Sequence, residues 1–111
     1  MYKKMRLNEE PFEQIKNGSK TIELRLYDEK RRKLKAGDTI CFKSKTEKLT
    51  ATIKALHIFK DFEELYAALP LEKCGYSANE IATASPDDML EYYTKEEIEK
   101  YGVVGFEIEV I

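Results

Sequence analysis

The chain has 111 residues, 36% of them charged and 42% hydrophobic, with a formal net charge of −2 at pH 7. That length suits one domain with a single core, and no stretch reaches the roughly 18 apolar residues of a membrane span. One histidine and two cysteines without CxxC spacing argue against a His/Cys zinc centre, a Ser-His-Asp hydrolase and a disulfide scaffold. The expectation is a cytoplasmic protein with no metal, no cofactor and no membrane contact, its Cys41 and Cys74 reduced and buried.

Residues 5–7 can open a strand. Asn8 then suits an N-cap, Pro11 fits a first helical turn, Phe12 and Ile15 form an inward stripe with the stem of Lys16, and Gly18 ends the helix. In residues 20–26 the apolar Ile22, Leu24 and Leu26 alternate with Thr21, Glu23 and Arg25, which predicts a half-buried strand with one polar face. Residues 28–33 are too charged for a core and predict a turn or short helix. Ala36-Gly37-Asp38 turns the chain into a strand over 39–43, with Ile40 and Phe42 on one side. Within residues 49–59, Leu49, Ala51, Ile53 and Ala55 keep one phase while Leu56 and Ile58 keep the other. This predicts a bulge near Ala55 or burial on both faces. His57 lies in this strand and reads as a structural histidine.

Helix starts punctuate the second half. Asp61 with Glu64, Ser77 with Glu80 and Thr94 with Glu97 have capping-box spacing, and Ser85 precedes Pro86 and Asp88. Short helices follow from this. Phe62, Leu65, Tyr66 and Leu69 stripe the first as far as Pro70, and Met89, Tyr92 and Tyr93 the third. After Gly102 a last strand places Phe106, Ile108 and Val110 inward and Glu107 and Glu109 outward.

The small net charge conceals an asymmetry. Residues 1–60 contain 16 Lys/Arg against 8 Asp/Glu, whereas residues 61–111 contain 3 against 13. A basic half supplies the electrostatic footprint of nucleic-acid binding, and an acidic half repels a polyanion. A nucleic acid should therefore approach the N-terminal side through a local contact, unless the two halves neutralise each other across the fold. Lys30, Arg31, Arg32, Lys33 and Lys35 are the densest basic run. They suit backbone phosphates and carry no information about bases, and a solvated turn has the same composition.

Gly18-Ser19-Lys20-Thr21-Ile22-Glu23-Leu24-Arg25, followed by Leu34-Lys35-Ala36-Gly37-Asp38-Thr39-Ile40, resembles the ASCH domain signature, a G-x-K-T-x-E-x-R strand before a k-x-G-D turn. Tyr92-Tyr93 and Tyr101-Gly102-Val103-Val104-Gly105 resemble the closing segment of the same family. The resemblance runs from Asn8 to the end. It implies an α+β fold over residues 1–111 as a single domain, a PUA-like mixed β-barrel with short peripheral helices and a cleft into which the strand's polar residues point. It also implies association with RNA or with transcription coactivation. Some members are small amidohydrolases of acetylated cytidine that use a lysine in G-x-K-T, a threonine three residues later and a more distant glutamate. Lys20 matches that lysine, Glu23 stands at the threonine position, and Glu80 and Glu91 both remain open for the distant carboxylate. Ribonuclease activity is attributed to other members.

The ligand-binding candidates are Lys20, Thr21, Glu23, Arg25, Tyr27 and Tyr93. Arg25 offers a planar fork to phosphate or carboxylate, or pairs with Glu23. Glu23 can accept from a base's exocyclic amine or act as a general base, and Lys20 can hold a phosphate or act as a base. Lys20 and Glu23 are the catalytic candidates if the protein is an enzyme. Tyr27, Tyr92 and Tyr93 can stack on a base or pack in the fold. The leading expectation is RNA or nucleotide binding in the polar cleft, flanked by the basic run. A hydrolase in the same cleft, amidohydrolase or ribonuclease, is the first alternative. A coactivator-type module whose acidic helices meet a basic protein partner is the second.

Overall fold

Five strands and several short helices make up residues 2–111, the part of the chain that the computed structural model describes. The order is β1 (Tyr2–Arg6), α1 (Glu9–Asn17), β2 (Ile22–Leu26), β3 (Thr39–Lys43), β4 (Lys48–Phe59), α2 (Phe62–Ala68), α3 (Ala78–Ile81), α4 (Lys95–Tyr101) and β5 (Val103–Val110). Single 3-10 segments occupy Arg31–Lys33, Leu71–Cys74 and Pro86–Glu91. The five strands form one sheet in the order β1-β3-β4-β5-β2, with β1 parallel to β3 and every other pair antiparallel. The sheet curls into a half-barrel, so the expected α+β mixed barrel is present but open between its two edge strands, β1 and β2.

Helix α1 connects these two edge strands along the chain and packs into the inside of the curl. Its acidic first turn, Glu9 and Glu10, and its basic Lys16 near the other end complement the helix dipole. Phe12 and Ile15 are buried, whereas Lys16 is exposed and pairs with Glu47 at 3.0 Å instead of joining the inward stripe. Gly18 ends the helix in the left-handed region at φ 87°, where a Cβ is disfavoured.

The inside of the curl is one apolar core. Met5, Ile40, Phe42, Ala51, Ile53, Val104, Phe106 and Ile108 from the sheet enclose Phe12 and Ile15 of α1. A second core lies on the opposite face, where Ile22, Leu24 and Val103 pack on Phe62, Leu65, Cys74 and Met89. The phase change of β4 is a bulge at Lys54, because Ile53 pairs with Ile108 while Ala55 pairs with Glu107.

The helix-start signals hold with small changes. Ser77/Glu80, Ser85/Asp88 and Thr94/Glu97 form reciprocal capping boxes. Asp61 caps α2, but Glu64 reaches the Lys60 amide rather than that of Asp61. The expected third helix is the 3-10 segment Pro86–Glu91. The first strand runs over Tyr2–Arg6 because β3 pairs with it there. Val110, expected inward, is 44% exposed because β2 stops opposite Glu107 and leaves the end of β5 uncovered.

Candidate functional site

Strand β2 buries both faces. Ile22 and Leu24 point to the helical layer, so Glu23 and Arg25 fall on the inside of the curl. Across the sheet Glu23 aligns with Phe106 and Leu56, and Arg25 with Val104 and Ile58. Two charges thus occupy rows whose other members are apolar, at the edge where the barrel is open.

Glu23 is 3% exposed. Its Oε1 lies 2.8 Å from Lys20 Nζ, and its Oε2 accepts from Arg25 Nη2 at 2.9 Å and from Nε at 3.1 Å. Arg25 Nη2 also donates to the Arg6 carbonyl at 3.0 Å, so one guanidinium bridges the end of β1 to β2 across the unpaired seam. Burial works against the Glu23 carboxylate, yet Lys20 and Arg25 outweigh it and hold its pKa below the ordinary glutamate value.

Lys20 reaches this cluster through a local irregularity. Alternation over residues 20–26 places it opposite Glu23, but regular strand begins only at Ile22. The Lys20 amide donates to the Gln14 carbonyl and the Thr21 amide to that of Lys73. The Lys20 side chain therefore turns to Glu23, while Thr21 lines a different groove.

The cluster forms the floor of a cleft of about 610 Å³. Arg6, Lys20, Arg25 and Lys45 supply its positive charge, and Glu10, Glu23, Glu80, Asp88 and Glu91 its negative charge. Tyr76, Tyr92 and Tyr93 also line it. Tyr93 stacks on Phe62, with centroids 6.2 Å apart and planes at 15°. Tyr76 is held by its hydroxyl, which contacts that of Tyr66 and donates to Asp88 at 3.0 Å. Tyr92 is 60% exposed, and its phenol titrates above the ordinary value through partial burial and then through Glu91, Glu10 and Glu23. Glu80 and Glu91, both open from the sequence, border the cleft together.

Gly75 closes the cleft on the side of α1. Gln14 Nε2 donates to its carbonyl at 3.1 Å, and a Cβ built there would lie 3.0 Å from Gln14 Oε1 and 3.3 Å from Lys20 Cδ. Cys74 borders the same space, but burial raises its thiol to about 11, so it carries little thiolate at neutral pH.

Of the expected ligand residues, the fold brings Lys20, Glu23, Arg25 and Tyr93 together in the cleft. Tyr27 lies outside it, packed on the inner core beneath the Arg32 guanidinium. None of Lys30, Arg31, Arg32, Lys33 and Lys35 borders it. Arg31 pairs with Asp28, and Arg32 donates to the Tyr101 carbonyl at 2.7 Å. Gln14, Gly75, Tyr76 and Asp88 were not expected as site residues. Asp88 was legible as a cap, whereas no local pattern marks the other three as neighbours of β2.

A curled mixed sheet, an interrupted seam and a charged cleft at its open edge define a PUA-like fold with a polar pocket. The chain belongs to the ASCH domain family, whose model matches residues 5–111. Among solved structures it is similar to the crystal structure of hypothetical protein PH0355, with 37% identity, full coverage of both chains and a TM-score of 0.84. It is also similar to the solution structure of protein PF0455 from Pyrococcus furiosus, with 38% identity over 100% of this chain and 98% of that one and a TM-score of 0.74. The ASCH protein of Zymomonas mobilis shares the fold at 16% identity, with 96% of this chain and 65% of that one covered and a TM-score of 0.57. No curated protein matches the sequence significantly. Among the described residues no helix is long and apolar enough to cross a membrane, and no His/Cys/Asp/Glu group is placed to hold a metal ion.

Proposed function

We propose that the cleft recognises a nucleobase, presented by a free nucleotide or by an unpaired position in RNA. The observation that carries this reading is the Glu23 carboxylate, buried on the cleft floor and fixed between Lys20 and Arg25. A base edge offers amine donors and ring acceptors side by side. An ionised carboxylate beside a guanidinium matches that pattern, with the cleft tyrosines as stacking surfaces. The near balance of charge around the cleft favours a base over a polyphosphate as its occupant.

The direction of the Glu23 shift also bears on catalysis. A general base working near neutrality needs a raised carboxyl pKa, and that of Glu23 is lowered. No threonine hydroxyl stands at position 23, and Thr21 borders another groove. Both facts favour recognition over hydrolysis.

Calorimetric titration with the four ribonucleosides and their monophosphates tests the proposal. At least one base should bind, and Tyr92→Ala should weaken it about tenfold, the scale of losing one stacked base. Glu23→Gln should do the same and change the order of preference among bases. Tyr92 is exposed, so its variant separates lost recognition from lost folding. Absence of binding by every base at millimolar concentration, or turnover of acylated nucleosides that depends on Lys20, would overturn the binding reading.

A further inference from the structure

A second groove, of about 450 Å³, runs between the C-terminal end of α1 and the outer end of β5. It shares Lys20 with the cleft, so the two spaces adjoin at that residue. Lys16, Lys20, Lys54 and Lys73 line it against only Glu107 and Glu109, an excess of positive charge that the cleft lacks. The pairs Lys16–Glu47 and Lys54–Glu109, at 3.0 and 3.2 Å, are exposed and are readily exchanged for another anion. The Lys73 ammonium and the Thr21 hydroxyl have no hydrogen-bond partner among the described residues and remain available to a ligand.

We propose that this groove holds the phosphate backbone of single-stranded RNA whose unpaired base occupies the cleft. The inference rests on the base-recognition reading above and adds the path of the strand. Lys20 stands at the junction, where the sugar-phosphate would leave the base site. Lys54 and Lys73 supply charge further along, and Thr21 offers a hydroxyl to phosphate or to a 2′-OH. The bulge at Lys54 contributes by placing an extra residue on β4 between the partners of Ile108 and Glu107, which both border the groove. The basic run at residues 30–35 borders neither space and takes no part in this path.

The test compares a nucleoside, its 5′- and 3′-monophosphates and a tetranucleotide containing the same base, each titrated over a range of salt. Wild type, the double variant Lys54→Glu/Lys73→Glu and the triple variant Lys30→Gln/Lys33→Gln/Lys35→Gln are used. The reversed lysines are both exposed, and unchanged thermal stability verifies the fold. The tetranucleotide should bind wild type at least tenfold more tightly than the nucleoside does. The double variant should lose that gain, lower the log–log salt slope by about 1.4 at roughly 0.7 per phosphate contact, and leave nucleoside affinity unchanged. The triple variant should keep the gain.

A tetranucleotide no tighter than the nucleoside, or a gain that survives the double reversal, overturns the groove while leaving the base site intact. A monophosphate that reproduces the entire gain overturns the strand path in favour of a free nucleotide. Lysine-dependent tetranucleotide binding without nucleoside binding supports the groove and overturns the base site. Failure of both ligands to bind overturns both proposals.

Discussion

Lys20, Glu23 and Arg25 lie on and just before β2, while Lys30, Arg31, Arg32, Lys33 and Lys35 lie on the turn that follows it. In the first group Glu23 is buried and Lys20 and Arg25 are largely covered at the seam, where the charges are fixed by one another and by the Arg6 carbonyl. In the second, Lys30, Arg32, Lys33 and Lys35 are exposed, and only Arg31 is partly covered. Density of charge along the chain is greatest in the run, but the cost of desolvation is concentrated in the cluster. The difference teaches that three charges paired with one another at the seam, two of them aligned with core residues, constrain the fold and its ligand far more than five on a turn.

Removing the shared carboxylate should produce the largest effect. In Glu23→Ala, Lys20 and Arg25 would remain, with side chains only 11% and 14% exposed and no anion between them. The expected loss is about 3 kcal/mol, the scale for breaking a buried ion pair from one side, read from urea denaturation. A loss as small as that of a surface pair would erase the contrast between the two segments.

The same cluster has a pH signature. The folded-state pKa of Glu23 is lowered, so its contribution is complete above the unfolded-state value of about 4.3 and disappears as pH falls through the folded value. Wild type should lose stability across that acidic interval. Glu23→Gln should flatten this part of the curve in denaturation experiments repeated from pH 7 downward.

Much of the framework was legible because it depends on local periodicity. The alternation of Ile22 and Leu24 with Glu23 and Arg25, the caps of the acidic half and the phase change in β4 are all sequence-near patterns. The pairing of Glu23 with Arg25 and, through the family resemblance, a cleft for these residues were expected, but their burial was not. Alternation implies a solvated face, whereas the curl of the sheet turns it inward, and Arg25 reaches the Arg6 carbonyl of β1. Lys20 and Thr21 defeated alternation for another reason. Their amides are bonded to Gln14 and Lys73, which lie on separate segments of the chain. Gly75 and Tyr76 reach the cleft from the far end of the second core, a relation set by tertiary packing alone.

The apolar face of β2 provides the next test. Gly105 lies beneath it, and a Cβ there would come 2.8 Å from Leu69 Cδ1 and 3.1 Å from Ile22 Cγ2. Gly105→Val should cost about 2 kcal/mol through overpacking and lower the melting temperature without changing the acidic part of the stability curve. If Gly105→Val flattened that curve as Glu23→Gln does, the two faces of β2 would not be energetically separate.

A smaller loss is expected at the helix caps. The Thr94 hydroxyl accepts from the Glu97 amide at 3.1 Å, while Glu97 Oε1 accepts from the Thr94 amide at 3.0 Å. Thr94→Ala should cost about 1 kcal/mol and leave the cleft unchanged. Base affinity measured on this variant separates general destabilisation from damage to the site.

The basic turn should respond least, and it should do so unevenly. Lys30, Lys33 and Lys35 are exposed, so Lys30→Gln/Lys33→Gln/Lys35→Gln should change stability by less than about 0.5 kcal/mol. Arg32 belongs to the same run but lies 4.4 Å above the Tyr27 ring and donates to the Tyr101 carbonyl. Arg32→Gln therefore removes a stacking contact and a charge-assisted hydrogen bond together, and it should cost more than the three lysines combined. Urea midpoints for the two variants measure this directly. A triple-lysine loss equal to that of Arg32→Gln would mean that charge on this turn matters irrespective of its contacts, against the distinction between buried cluster and surface run.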